Sequence, residues 1–132
     1  MFFTQMIALF NPLMILIMLV CTIVGIVFGA IPGLSGGLAV SLLLPLTFGM
    51  DDLLSFAMMI AVWVGGISGG FICATLVGIP GAPASIATCF DAYPMSQRGE
   101  TVRALGIGIL ASFAGTFLSC IVATFLSRFI AD

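Results

Sequence analysis

The sequence predicts an all-α fold of polytopic transmembrane helices, with two segments interrupted by proline and glycine. Three observations predict it. Of 132 residues, 62% are apolar and 6% charged, against roughly half and a quarter in a soluble domain. The eight charges, Asp51, Asp52, Asp91, Arg98, Glu100, Arg103, Arg128 and Asp132, leave residues 1–50, 53–90 and 104–127 uncharged. Each window exceeds the roughly 20 apolar residues that a spanning helix needs, so three or four passes are expected. Third, proline and glycine concentrate in two short stretches, GAIPGLSGG at residues 29–37 and GIPGAPAS at residues 78–85.

The first helix is expected from about Pro12 to Ala30. Proline suits the first helical position, and Pro32 disfavours helix at the residue before it. The segment ahead, MFFTQMIALFNP, has no Lys or Arg before its apolar run, so it lacks the charged region of a secretory signal and reads as part of a helix that stays attached. A lipoprotein reading of Cys21 fails because bulky Val20 precedes it. After the first break, Leu38 to Phe48 is a half-helix, since about eleven residues rise only about 16 Å. Asp51 and Asp52 are placed to cap the next helix and meet its dipole. That helix runs from Leu53 to about Val77 and ends at the second break.

A polar stretch, DAYPMSQRGETVR, follows, in which Asp91 heads an Asp-x-Tyr-Pro turn as a local hydrogen-bond acceptor. Glu100 and Arg103 are spaced for a surface ion pair. The last helix, Ala104 to about Ser127, carries small residues at Gly108, Ser112, Thr116, Cys120 and Thr124, a stripe that lets helix backbones approach in lipid. Gly25, Gly29, Gly33 and Gly37 form a similar ladder, also read as packing. Arg98 and Arg103 place residues 91–103 on the cytoplasmic side, with Arg128 on the opposite side.

Several function classes are excluded. Three basic residues cannot make the basic face that nucleic acid requires. The four cysteines, Cys21, Cys73, Cys89 and Cys120, have no metal or redox spacing and read as small buried hydrophobes. Gly33-Leu34-Ser35-Gly36 and Gly66-Ile67-Ser68-Gly69 fit the G-x-S-G pattern of intramembrane serine proteases, but the chain has neither histidine nor lysine to activate a serine. It is read as no enzyme.

The two breaks are the candidate site. Ile31-Pro32-Gly33 and Ile79-Pro80-Gly81 lie 48 residues apart, and each precedes a further proline, Pro45 or Pro94. The pair looks like an internal repeat, and a chance match of two Pro-Gly kinks is the open alternative. Unwound backbone in a bilayer needs protein or a water-filled cavity to satisfy it, so two such openings suggest a shared cavity. There, amides at helix starts would face an anion and freed carbonyls a cation. Ser35, Ser85 and Thr88 add hydroxyls. Asp91 is the one carboxylate near a membrane window, with an ion-pairing role as its second reading.

Read together, GAIPGLSGGLAVSLLLPLTFGM at residues 29–50 and GGISGGFICATLVGIPGAPASIATCFDAYPMSQRGETVRALG at residues 65–106 resemble the large membrane subunit of the tripartite tricarboxylate transporter family. The resemblance implies a secondary transporter of the bacterial inner membrane, moving di- or tricarboxylates such as citrate. A periplasmic solute-binding protein and a small membrane subunit would be its partners. No cofactor is implied beyond a coupling ion, proton or sodium. Carried over by position, the substrate path would involve Pro32, Gly33, Leu34, Ser35 and Gly36, then Pro80, Gly81, Ala82 and Pro83, with Asp91, Tyr93 and Pro94 following. Gly78, Ala82 and Ala92 stand where the family usually has Asn, Thr and Gly. The family's subunit is several times longer, so residues 1–132 read as one transmembrane region forming the N-terminal part of a larger permease. A small structural or assembly subunit, or a fragment without its own substrate path, is the alternative.

Overall fold

A computed structural model describes the backbone of residues 11–130 and the side chains of residues 11–127. The readings made for residues 1–10 and for Arg128 lie outside what it describes. The elements run α1 (Pro12–Ala30), α2 (Gly36–Thr47), α3 (Asp52–Val77), a 3-10 turn (Pro83–Ser85), α4 (Ile86–Gln97) and α5 (Thr101–Ile130). Among the described residues, α1, α3 and α5 are long and apolar enough to cross a membrane, and α2 is too short. This is a multi-pass membrane protein.

α1 has the expected bounds. Asn11 caps it by accepting the Leu13 N–H, and Pro12 occupies its first position. α2 begins two residues earlier than expected, because Ser35 caps it: the Ser35 hydroxyl oxygen accepts the Leu38 N–H at 3.3 Å. Asp51 holds the N-cap position of α3, but its side chain makes no cap bond, which corrects the expected capping. Its carbonyl instead accepts from the Ser55 N–H and hydroxyl, at 2.9 and 3.0 Å. Asp52 sits in the first turn of α3, where a carboxylate favours the helix dipole.

α3 is the central element. It runs parallel to α1: a β-carbon on Gly65 would press on the Thr22 carbonyl and one on Gly69 on the Ile26 carbonyl. Such backbone-to-backbone approach is open only to residues without side chains. α2 descends antiparallel on α3, with Gly36 against Gly66 at one end and the Ser55 hydroxyl donating to the Thr47 carbonyl at the other. Between them lies the buried core of Cys21, Ala39, Met58, Ala61 and Val62. α5 returns along α3, with Gly108 beneath the Phe71 ring.

Three expectations need correction here. The polar stretch after Phe90 is helical through Gln97, with Pro94 inside α4, so Asp91 heads no turn and stands exposed on that helix. Of the small residues on α5, Gly108 touches α3, while residues 109–127 are exposed and Gly115 has nothing within 4 Å. Beyond Gly108 the stripe therefore does not pack within the described chain. Cys120 is exposed and Cys89 half-buried, whereas Cys21 and Cys73 are buried as read. The Glu100–Arg103 pair forms as expected, at 3.1 Å on the surface.

Candidate functional site

The chain leaves helix between Ala30 and Gly36 and again between Val77 and Pro83, and local chemistry dictates both exits. At the first, Ile31 takes extended backbone before Pro32, and Gly33 turns the chain at φ +90°, a conformation that costs a side-chain-bearing residue. At the second, Gly78 ends α3 in the left-handed conformation at φ +74°, its N–H donating to the Ala74 carbonyl at 3.1 Å. Left-handed helix ends take glycine and, next, asparagine. Gly78 meets that backbone requirement, and its lack of a side chain leaves room for the Tyr93 ring, about 3.0 Å from where a β-carbon would stand.

After Gly78 the chain doubles back instead of continuing upward. Gly81 lies against Gly70, a residue two turns before the end of α3, and against the carbonyl of Gly29 near the end of α1. The first loop reaches the same level, with Gly36 packed on Gly66, one turn below Gly70. Both loops therefore meet alongside the interior of α3, about 10–16 Å from its C-terminal end at 1.5 Å per residue.

Where they meet there is a cavity of about 410 Å³, lined by Gly33, Ser35, Pro80, Gly81, Ala82, Pro83 and Ile86. Six of these were nominated from the sequence. Ile86 was not, and its signal was only its place as the first residue of α4. Pro32 and Leu34 belong to the first loop without lining the cavity, and Gly36 is buried in the contact with α3. Ser85 is buried, with its hydroxyl beside Gly70; Thr88 is half-buried and Asp91 exposed, both on α4 away from the cavity wall. Tyr93 packs on Gly78.

Among the described residues none that lines the cavity is charged, so its polarity there comes from Ser35 and from backbone. The amides of Gly36 and Gly37 open α2 and have no helical acceptor, as first-turn amides do not. The turn Pro83–Ser85 leads into α4 at the opposite wall, so the positive ends of two helices border the space. The negative end of α1 lies beside them, where the Gly29 carbonyl meets Gly81. Among the described residues no cluster of His, Cys, Asp or Glu could hold a metal ion. The arrangement suits an anion held by dipoles and amides.

A second space, about 430 Å³, lies between α3 and α5. It is apolar apart from the hydroxyls of Ser68, Ser112 and Thr116, and takes in none of the nominated residues.

Comparison with known proteins agrees with the resemblance read from the motifs. An uncharacterised 52.8 kDa protein in the TAR-I ttuC' 3' region of Agrobacterium vitis is 30% identical over 117 residues. The match takes in 89% of this chain and 23% of that relative, so this chain spans only about a quarter of that relative's length. No solved structure matches. The family model of the tripartite tricarboxylate transporter TctA family matches residues 15–132, and the chain belongs to that family.

Proposed function

We propose that this chain forms part of the permease of a secondary transporter that moves di- or tricarboxylates, citrate-like anions, across the bacterial inner membrane. A periplasmic solute-binding protein would deliver the substrate, and a small membrane subunit and the remainder of the permease would complete the complex. The coupling ion would be a proton or sodium, with no other cofactor. The observation that carries this reading is the convergence of two Pro-Gly loops on one uncharged cavity beside the interior of α3. We place both loops at membrane depth, where irregular backbone persists only if it lines a cavity or is buried in protein. Helix starts then serve as the anion's partners, as at the interrupted helices of other secondary transporters.

The test uses the full-length permease with its partners in proteoliposomes and labelled citrate as probe. Ile86→Trp narrows the cavity from its rim, since Ile86 is half exposed there. Uptake should fall at least tenfold at unchanged protein level, while Phe90→Trp, on the exposed side of α4, should leave it within twofold. Equal uptake in both variants refutes the site. A structural role for the chain is supported by the exposed length of α5, and predicts instead that Ile86→Trp and Phe90→Trp change only the recovery of the complex.

A further inference from the structure

Three glycines outside the cavity wall hold both loops. Gly66 sits under Gly36, so a β-carbon there would press on the Gly36 α-carbon and lie 3.1 Å from its nitrogen. Gly29, at the end of α1, packs on the backbone of Gly66, and its carbonyl also meets the second loop at Gly81. Gly70, one turn above Gly66 on the same face of α3, faces the second loop: its β-carbon would lie 3.3 Å from the Ala82 nitrogen and the Ser85 hydroxyl, and 3.4 Å from the Ala82 β-carbon. One turn of one helix thus sets the height of both cavity walls. The contacts at Gly66 and Gly29 are backbone to backbone, and that of Gly70 with the Ala82 nitrogen reaches loop backbone as well, so a displacement at any of the three bears on the loops.

We infer that Gly29, Gly66 and Gly70 are positioning residues that fix the gap between the two loops, and with it the affinity for the carboxylate. The inference rests on the cavity being the substrate site. Gly70 is the informative position. At Gly66 and Gly29 a methyl meets backbone head-on and the helices must part, whereas at Gly70 a shift of a few tenths of an ångström in the second loop accommodates it. Ser85, itself 3% exposed, and Ala82 are the groups that must yield.

The experiment uses the full-length permease with its partners and labelled citrate. Gly70→Ala should leave the amount in the membrane unchanged and the maximal rate within twofold, and raise KM about fivefold to tenfold, as small misplacements at a binding site do. Adding Ala82→Gly to Gly70→Ala removes one of the crowding contacts and should return KM toward that of Ala82→Gly alone. A merely structural role would lower protein level and maximal rate together, without that rescue. Independently of transport, amide exchange at Ser85, whose N–H donates to the Ala82 carbonyl at 2.9 Å, should quicken at least threefold in Gly70→Ala and recover in the double variant. Unchanged KM, or unchanged exchange at Ser85, overturns the inference. Absence of citrate uptake by the unmodified complex would instead count against the proposed substrate, leaving the exchange measurement to judge the positioning.

Discussion

Gly65 and Gly115 are both helical glycines, and the structure predicts opposite outcomes for the same substitution. At Gly65 an added methyl presses on the Thr22 carbonyl, with the Gly25 α-carbon and the Ile26 nitrogen both at 3.1 Å. All three belong to α1 backbone, which cannot swing aside, so α1 and α3 must separate by about 0.5–1 Å to restore ordinary contact. A gap of that size forfeits a quarter to a half of each dispersion well. Taking the contacts loosened as those of about one buried large side chain, roughly 6 kcal/mol of dispersion, the loss is about 1.5–3 kcal/mol. Alanine recovers about 0.5–1 kcal/mol of backbone entropy, so Gly65→Ala should destabilise by about 1–2 kcal/mol. At Gly115 nothing among the described residues lies within 4 Å, so only the entropic gain remains and Gly115→Ala should be neutral or stabilising in the isolated chain. Unfolding in mixed micelles of rising SDS fraction measures both, followed by emission from the sole tryptophan, Trp63, whose ring lies 3.5 Å from the β-carbon position of Gly37. A Gly65→Ala chain as stable as the parent would refute the close parallel packing of α1 and α3.

Two further outcomes follow from the loops. Gly33 has φ +90° and open space around it, so Gly33→Ala should lower uptake through strain of about 1–2 kcal/mol while Gly33→Asn, which tolerates that conformation better, retains more; equal loss in both would point to crowding instead. Asp91 is exposed on α4 and outside the cavity wall, so Asp91→Asn should keep KM within twofold, and a large rise would return Asp91 to the substrate path.

What was legible in the sequence was whatever is written locally. Pro12 marks the start of α1, Gly78 the end of α3, and the two Ile-Pro-Gly runs mark where helix stops. The polar run through Asp91 and Pro94 misled, because low hydropathy and a proline read as loop. Pro94 is exposed, and the Phe90 carbonyl that would have accepted its missing N–H belongs to an exposed residue, so α4 tolerates it. Glycine function was illegible for a different reason. Gly25 and Gly29 belong to one ladder with Gly33 and Gly37, yet the first two meet α3 backbone, Gly33 makes a turn and Gly37 faces an indole ring. Those roles depend on the neighbouring helix, which spacing along one chain does not identify. The same holds for Gly66 and Gly70, whose importance appears only once the loops are seen folded onto them.

The uncharged wall of the cavity has a consequence for coupling. Each helix end contributes roughly half an elementary charge. With α2 and α4 presenting positive ends and α1 a negative one, the fixed balance is only about half a positive charge. A citrate trianion in this space would keep more than two negative charges uncompensated, a cost that membrane interiors rarely carry without partners. Among the described residues no Arg or Lys lines the cavity, so on the proposed reading compensation would fall to co-transported cations, with the Gly29 carbonyl end of α1 as the neighbouring negative pole. Citrate uptake by the intact complex should therefore rise with at least the second power of proton or sodium concentration below saturation. Initial rates at fixed citrate, with each cation varied separately and membrane potential clamped, give that order directly. A first-order dependence, or none, would mean that a basic side chain from elsewhere in the complex neutralises the substrate, and the backbone-only account of this cavity would fail.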